Sequence, residues 1–133
     1  MKPLLAASML SCVIALTACA HAGATDASAS KSPTAKAGET IALQPGGSVA
    51  LTDGSQLRFV AVTSDSRCKP NVQCIWAGEA VLDFQWIAAD GAKTALTFNS
   101  SNDQGKSASA WSFELQSLDF ADPPKATLRI GAK

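Results

Sequence analysis

From Ile41 to Ile130 the chain is dominated by short runs in which every second residue is apolar, separated by Gly, Asp, Asn or Pro. That two-residue repeat belongs to a strand, whose successive side chains face opposite ways, and conflicts with the roughly 3.6-residue repeat of an amphipathic helix. Ile41 and Leu43 alternate with small residues before Pro45-Gly46-Gly47, and Val49 and Leu51 resume the pattern before Asp53-Gly54. Leu57, Phe59 and Ala61 share one face against Arg58, Val60 and Val62. The run from Ile75 to Ile87 sets Trp76, Gly78, Ala80, Leu82, Phe84 and Trp86 against Glu79, Asp83 and Gln85, so the first set is read as core. Asp90-Gly91 is the turn into Lys93 to Phe98, with Thr94, Leu96 and Phe98 inward, and the polar stretch from Asn99 to Ala110 reads as a surface loop. Trp111, Phe113 and Leu115 form a strand that Leu118 and Phe120 continue after a register shift. Asp122-Pro123-Pro124 then breaks the chain, and Leu128 and Ile130 close the sheet. The expected fold is all-β, a small antiparallel β-sandwich or barrel of about seven strands over residues 39–133.

The full length of 133 residues fits one such domain. Eleven Lys and Arg balance 11 Asp and Glu, and aromatic residues make up only 6%. Neither the basic footprint nor the stacking surface of a nucleic-acid binder is present, so no nucleic-acid partner is expected.

The N-terminal segment has a different character. Lys2 is the only charged residue before Asp26, and Leu4 to Leu16 is an apolar run that suits an export signal but is too short to span a bilayer. The run ends in Leu16-Thr17-Ala18-Cys19. This resembles the lipobox of bacterial lipoproteins, an aliphatic residue and two small ones before the Cys that is lipidated. The resemblance implies cleavage between Ala18 and Cys19, a diacylglycerol on the Cys19 thiol and acylation of the new amine. An ordinary cleaved signal ending near a Cys is the alternative. Two or three acyl chains hold a protein on a membrane durably where one does not. Ala20 in place of Asp after the modified Cys implies, by the sorting rule of Gram-negative lipoproteins, the outer membrane on its periplasmic side. Residues 1–18 are thus the signal peptide, and 19–38 the lipidated Cys and a tether of Ala, Ser, Thr, Lys and Gly without apolar periodicity.

With Cys12 removed and Cys19 acylated, Cys68 and Cys74 remain as one pair in an oxidising compartment, where a disulfide is the default. They sit in Ser66-Arg67-Cys68-Lys69-Pro70-Asn71-Val72-Gln73-Cys74-Ile75-Trp76-Ala77-Gly78. The stretch resembles the mark of a group of small exported bacterial proteins, Ser-Arg-Cys, five residues, then Cys-x-Trp-x-Gly. That resemblance covers the chain from about Gly38 onward. It implies the disulfide and the fold and supplies no catalytic residue. The chain departs from the pattern in placing Pro70 second after Cys68 rather than first.

Candidate binding residues around this signature are Arg67, Pro70, Asn71, Trp76 and Glu79. Parity favours Trp76 as a core plug with Gly78 making room beside it, the alternative being an exposed ligand platform. Arg67 is weighed as a structural tie to Asp65 or Glu79, or stacked on an indole, ahead of a ligand-binding guanidinium.

Other chemistries lack their parts. The single His, His21, lies in the tether, so neither a metal site nor a Ser-His-acid arrangement is expected, and no cofactor is expected either. The acidic residues lack a calcium loop with carboxylates at alternate positions. Ser66-x-x-Lys69 matches the Ser-x-x-Lys pattern of penicillin-recognising enzymes without the required helix. Glu79 and Asp83 stand about 13 Å apart along one strand face, too far for an acid and base pair. The expected function is a non-catalytic envelope lipoprotein, held on a membrane by its lipid and binding an envelope protein or glycan. The alternatives are an inhibitor or stabiliser of an envelope enzyme acting through the Cys68-Cys74 loop and, behind it, a small hydrolase.

Overall fold

A computed structural model of the chain describes residues 32–102 and 105–133. The signal peptide, Cys19, His21 and the first part of the tether lie outside the described residues. The described chain forms β1 (Thr34–Ala35), β2 (Thr40–Leu43), β3 (Ser48–Leu51), β4 (Gln56–Asp65), β5 (Ala80–Ile87), β6 (Lys93–Asn99), β7 (Lys106–Ala108), β8 (Trp111–Leu118) and β9 (Ala126–Ala132). Two sheets, ordered β1-β3-β4-β5-β6 and β2-β9-β8-β7, pack face to face as a small all-β sandwich. Every pairing is antiparallel except that of β1 with β3.

Alternation builds the core. Leu57 and Phe59 of β4, Leu82, Phe84 and Trp86 of β5, and Leu96 and Phe98 of β6 are buried against Trp111, Phe113, Leu118, Leu128 and Ile130 of the other sheet. Phe84 stacks on Phe59 at 4.4 Å between centroids and meets Phe98 edge-on at 5.4 Å. Such ring pairs contribute about 0.5–1.5 kcal/mol each beyond their buried area.

The sheets are also tied by a polar relay at one end. Trp86 Nε1 donates to Ser55 Oγ at 3.2 Å, Ser55 Oγ donates to Asp53 Oδ1 at 2.6 Å, and Trp111 Nε1 donates to Asp53 Oδ2 at 2.7 Å. The β3-β4 turn thereby satisfies the indole N–H groups of both sheets, which would otherwise be costly to bury.

Several expectations are corrected. The described residues form nine strands rather than about seven, because β1 and β7 span only 2 and 3 residues and carry no readable alternation. The domain begins before residue 39: Thr34 and Ala35 pair with Ala50 and Leu51, and Ala35 is buried. The stretch from Asn99 to Ala110 is not wholly loop, since β7 pairs with the start of β8. Ala61 is only half-buried, because register shifts between Phe59 and Ala61 and between Val62 and Ser64 turn β4 out of strict alternation. The expected shift in β8 is present between Leu115 and Ser117, but Phe120 lies beyond the strand and is 47% exposed.

Candidate functional site

The loop from Ser66 to Glu79 leaves the end of β4 and returns into β5 through a narrow neck. Ser66 N donates to Glu79 O at 2.8 Å, Glu79 N donates to Ser66 Oγ at 3.1 Å, and Cys68 N donates to Ala77 O at 3.0 Å. Gly78 is required here. Its φ is +68°, and a Cβ at that position would run into the Ser66 carbonyl. The expected pairing of Gly78 with Trp76 is therefore replaced by close approach of two backbones.

Above the neck a disulfide joins Cys68 and Cys74, with Cα atoms 5.9 Å apart. Between them Val72 N donates to Lys69 O at 3.2 Å, closing a turn over Pro70 and Asn71, and Asn71 has φ +66°. Pro at the second position and a left-handed Asn at the third fit a type II turn, for which Pro has its φ already set and Asn tolerates the positive value. The residues between the two cysteines thus form a stapled cap.

Trp76 is not a core plug. It is 81% exposed, beside Ile75 at 92% and Val72 at 56%. The strand of which Trp76 was expected to be part begins only at Ala80, so its parity with Leu82 and Phe84 has no structural meaning. Pro70 and Asn71 are likewise exposed. The three apolar side chains are all exposed along the loop, and Val72 and Ile75 are binding candidates that the alternation pattern did not single out. The sequence signal for Ile75 is its place directly after a stapled Cys, outside any paired strand.

Arg67 stands at the base, and its side chain is only 12% exposed. Its Nε donates to Asp65 Oδ1 at 2.9 Å, its Nη2 donates to Asp65 Oδ2 at 2.7 Å and to Asp119 O at 2.9 Å, and its Nη1 donates to Leu118 O. The guanidinium also lies 4.1 Å over the Phe120 ring rather than on an indole. A planar fork of donors is well matched to this many acceptors at once. Arg67 thereby ties the loop, which grows from one sheet, to the β8-β9 connection of the other.

Two open clefts flank this tie. One, of about 420 Å³, is lined by Gly78, Ser100, Ser101, Gln116 and Ser117; the other, of about 460 Å³, by Thr63, Asp65, Lys69, Asp119 and Phe120. Glu79 borders the neck, and its carboxylate accepts from Ser101 Oγ at 2.9 Å.

The carboxylates here are anchored acceptors. Hydrogen bonds from the Arg67 side chain hold the Asp65 carboxyl below the ordinary aspartate value, with Arg67 and Lys69 charges adding to the effect. Glu79 is held down by the Asn99 and Ser101 side chains, and Asp119 by the Lys125 and Ala121 backbone amides. No shift in this group is in the direction that would make a general acid at neutral pH. Asp83 accepts from Thr97 Oγ1 at 2.8 Å. Among the described residues no group of three or more His, Cys, Asp and Glu is placed to hold a metal ion.

No family model, curated protein or solved structure matches this chain.

Proposed function

We propose that the protein is a non-catalytic lipoprotein of the bacterial cell envelope, held by acyl chains on Cys19 at the periplasmic face of the outer membrane, whose β domain binds an envelope component through the Cys68-Cys74 loop. The observation that carries the binding part is the exposure of Ile75 and Trp76 on a stapled loop. A large apolar pair left in water on a rigid mount is costly unless something covers it, and a rigid mount loses little conformational freedom when covered. The Leu16-Thr17-Ala18-Cys19 lipobox supports the anchor, and Ala20 supports the membrane. The hydrogen-bonded, ionised carboxylates support a non-catalytic reading.

An envelope protein or glycan is the partner class suggested by the sequence. An inhibitor or stabiliser of an envelope enzyme is the second reading, favoured by a preorganised loop with exposed apolar side chains. The test places a photoactivatable residue at position 75 or, as control, at Thr94, which lies exposed on β6 and not inward as its spacing implied, in the full chain expressed in its own envelope. Adducts at 75 and none at 94 support the reading. Equal labelling at both positions, or at neither, removes the loop from the function.

A further inference from the structure

The chain enters the domain at Ser32, near the level of Arg58, and the apolar loop follows the far end of β4. β1 runs parallel to β3, with Thr34 opposite Ala50, and β3 runs antiparallel to β4, with Ser48 opposite Arg58. Ser32 Oγ lies 3.4 Å from Ser48 Oγ. The segment from Ser32 through β1 therefore runs opposite to β4, and Ser32 is its end nearer to the level of Asp65 and the loop. From the level of Arg58 to that of Asp65 is roughly 23 Å along the strand. Cys19 lies thirteen steps along the chain from Ser32, a maximum reach of roughly 43–47 Å. A lipid on Cys19 can thus lie in the same plane as the loop's tip.

The tip has the composition of an interfacial contact. Trp76 combines an apolar ring with an N–H donor, Ile75 and Val72 are wholly apolar, and Lys69 is the single charge from Cys68 to Trp76. An indole favours the headgroup boundary, and a Lys can keep its ammonium among lipid phosphates while its stem is covered. From these placements we infer that the Cys68-Cys74 loop docks on the surface of the bilayer that carries the Cys19 anchor, with Trp76 and Ile75 inserted at headgroup depth. This goes beyond the proposed function by putting lipid in the place of a protein or glycan as the component the loop meets, and it rests on acylation of Cys19. Three side chains give weak affinity alone. The anchor turns their binding into an intramolecular event at high effective concentration, so the domain is held in one orientation.

Trp76 reports on its own docking, because the other two tryptophans, Trp86 and Trp111, are buried. The mature, acylated full-length protein is reconstituted into phosphatidylethanolamine and phosphatidylglycerol vesicles with lipids brominated near the top of the acyl chain. The expected result is bromine quenching of emission that Trp76→Phe removes. Quenching falls several-fold in the double variant Val72→Ser/Ile75→Ser and on deletion of Ala24 to Ser30, which leaves a reach of only about 20 Å. Flotation with the vesicles without quenching overturns the inference and leaves the anchor standing. Adducts at position 75 in the envelope, with no quenching in protein-free vesicles, assign the loop to a protein partner and also overturn it. Failure to float overturns the anchor and the inference together. Quenching unaltered by the deletion rejects the shared geometry of tip and tether.

Discussion

Arg67 and Asp65 face each other across one residue in a two-point pair, Nε to Oδ1 at 2.9 Å and Nη2 to Oδ2 at 2.7 Å. The remaining donors reach the Leu118 and Asp119 carbonyls, so one side chain closes the loop's base onto the opposite sheet. Arg67→Lys keeps the charge and loses the fork, leaving these acceptors poorly matched. The expected loss is about 2 kcal/mol, read as a lower urea midpoint with an unchanged slope. An unchanged midpoint would show that the tie is dispensable.

Gly78→Ala is expected to destabilise the fold by at least about 2 kcal/mol, since it adds a positive-φ cost to a collision with the Ser66 backbone. By contrast Gly91→Ala, also at positive φ but facing open space, carries only the conformational cost of roughly 1–2 kcal/mol. Thermal melts of the two variants test the ranking. Equal shifts would mean that the neck yields to accommodate the methyl group.

Replacing both Cys68 and Cys74 by Ser removes a short closed loop. The chain-entropy relation gives a loss of roughly 2–2.5 kcal/mol. The sandwich is expected to survive, with its core far-UV signal intact, because the bridge joins no two strands. The loop itself should become sensitive to protease. Global unfolding of the double variant at neutral pH would contradict this division between fold and loop.

Acid should weaken the protein in a defined direction. The Ser55 side chain, followed by Trp111 and backbone amides, holds Asp53 below its ordinary value of 3.8, and Asp65 is held below the same value by Arg67. Groups depressed in the folded state bind fewer protons there than in the unfolded chain. Their contribution is full above the unfolded value and is lost as pH falls from about 4 through the folded values. Unfolding midpoints are therefore expected to drop below about pH 4. Asp53→Asn should lower stability at pH 7 and flatten part of the acid limb. A variant with the parent's full acid dependence would remove Asp53 from that role.

The sandwich was readable wherever a strand has one face in the core. Ala80, Leu82, Phe84 and Trp86 are buried in turn, as their spacing requires. The same spacing misplaced Trp76, because parity carries information only inside a paired strand, and the left-handed backbone at Gly78 breaks the extended run before Ala80. The pairing of Arg67 with Asp65 was one of three options that the sequence offered, beside Glu79 and an indole. Its contacts with Leu118, Asp119 and Phe120, like the bond from Trp111 to Asp53, come from far along the sequence and depend on how the sheets stack. The turn over Pro70 and Asn71 went unread although Pro followed by Asn favours one, and the exposure of Ile75 and Val72 followed from no periodicity at all.

Membrane attachment and loop docking both require acylation of Cys19, and mass analysis of the N-terminal peptide from membrane-extracted protein addresses it directly. The predicted species begins at Cys19 and carries a thioether-linked diacylglycerol with a further acyl chain on its amine. A mature chain that begins at another residue, or a Cys19 without lipid, would contradict it.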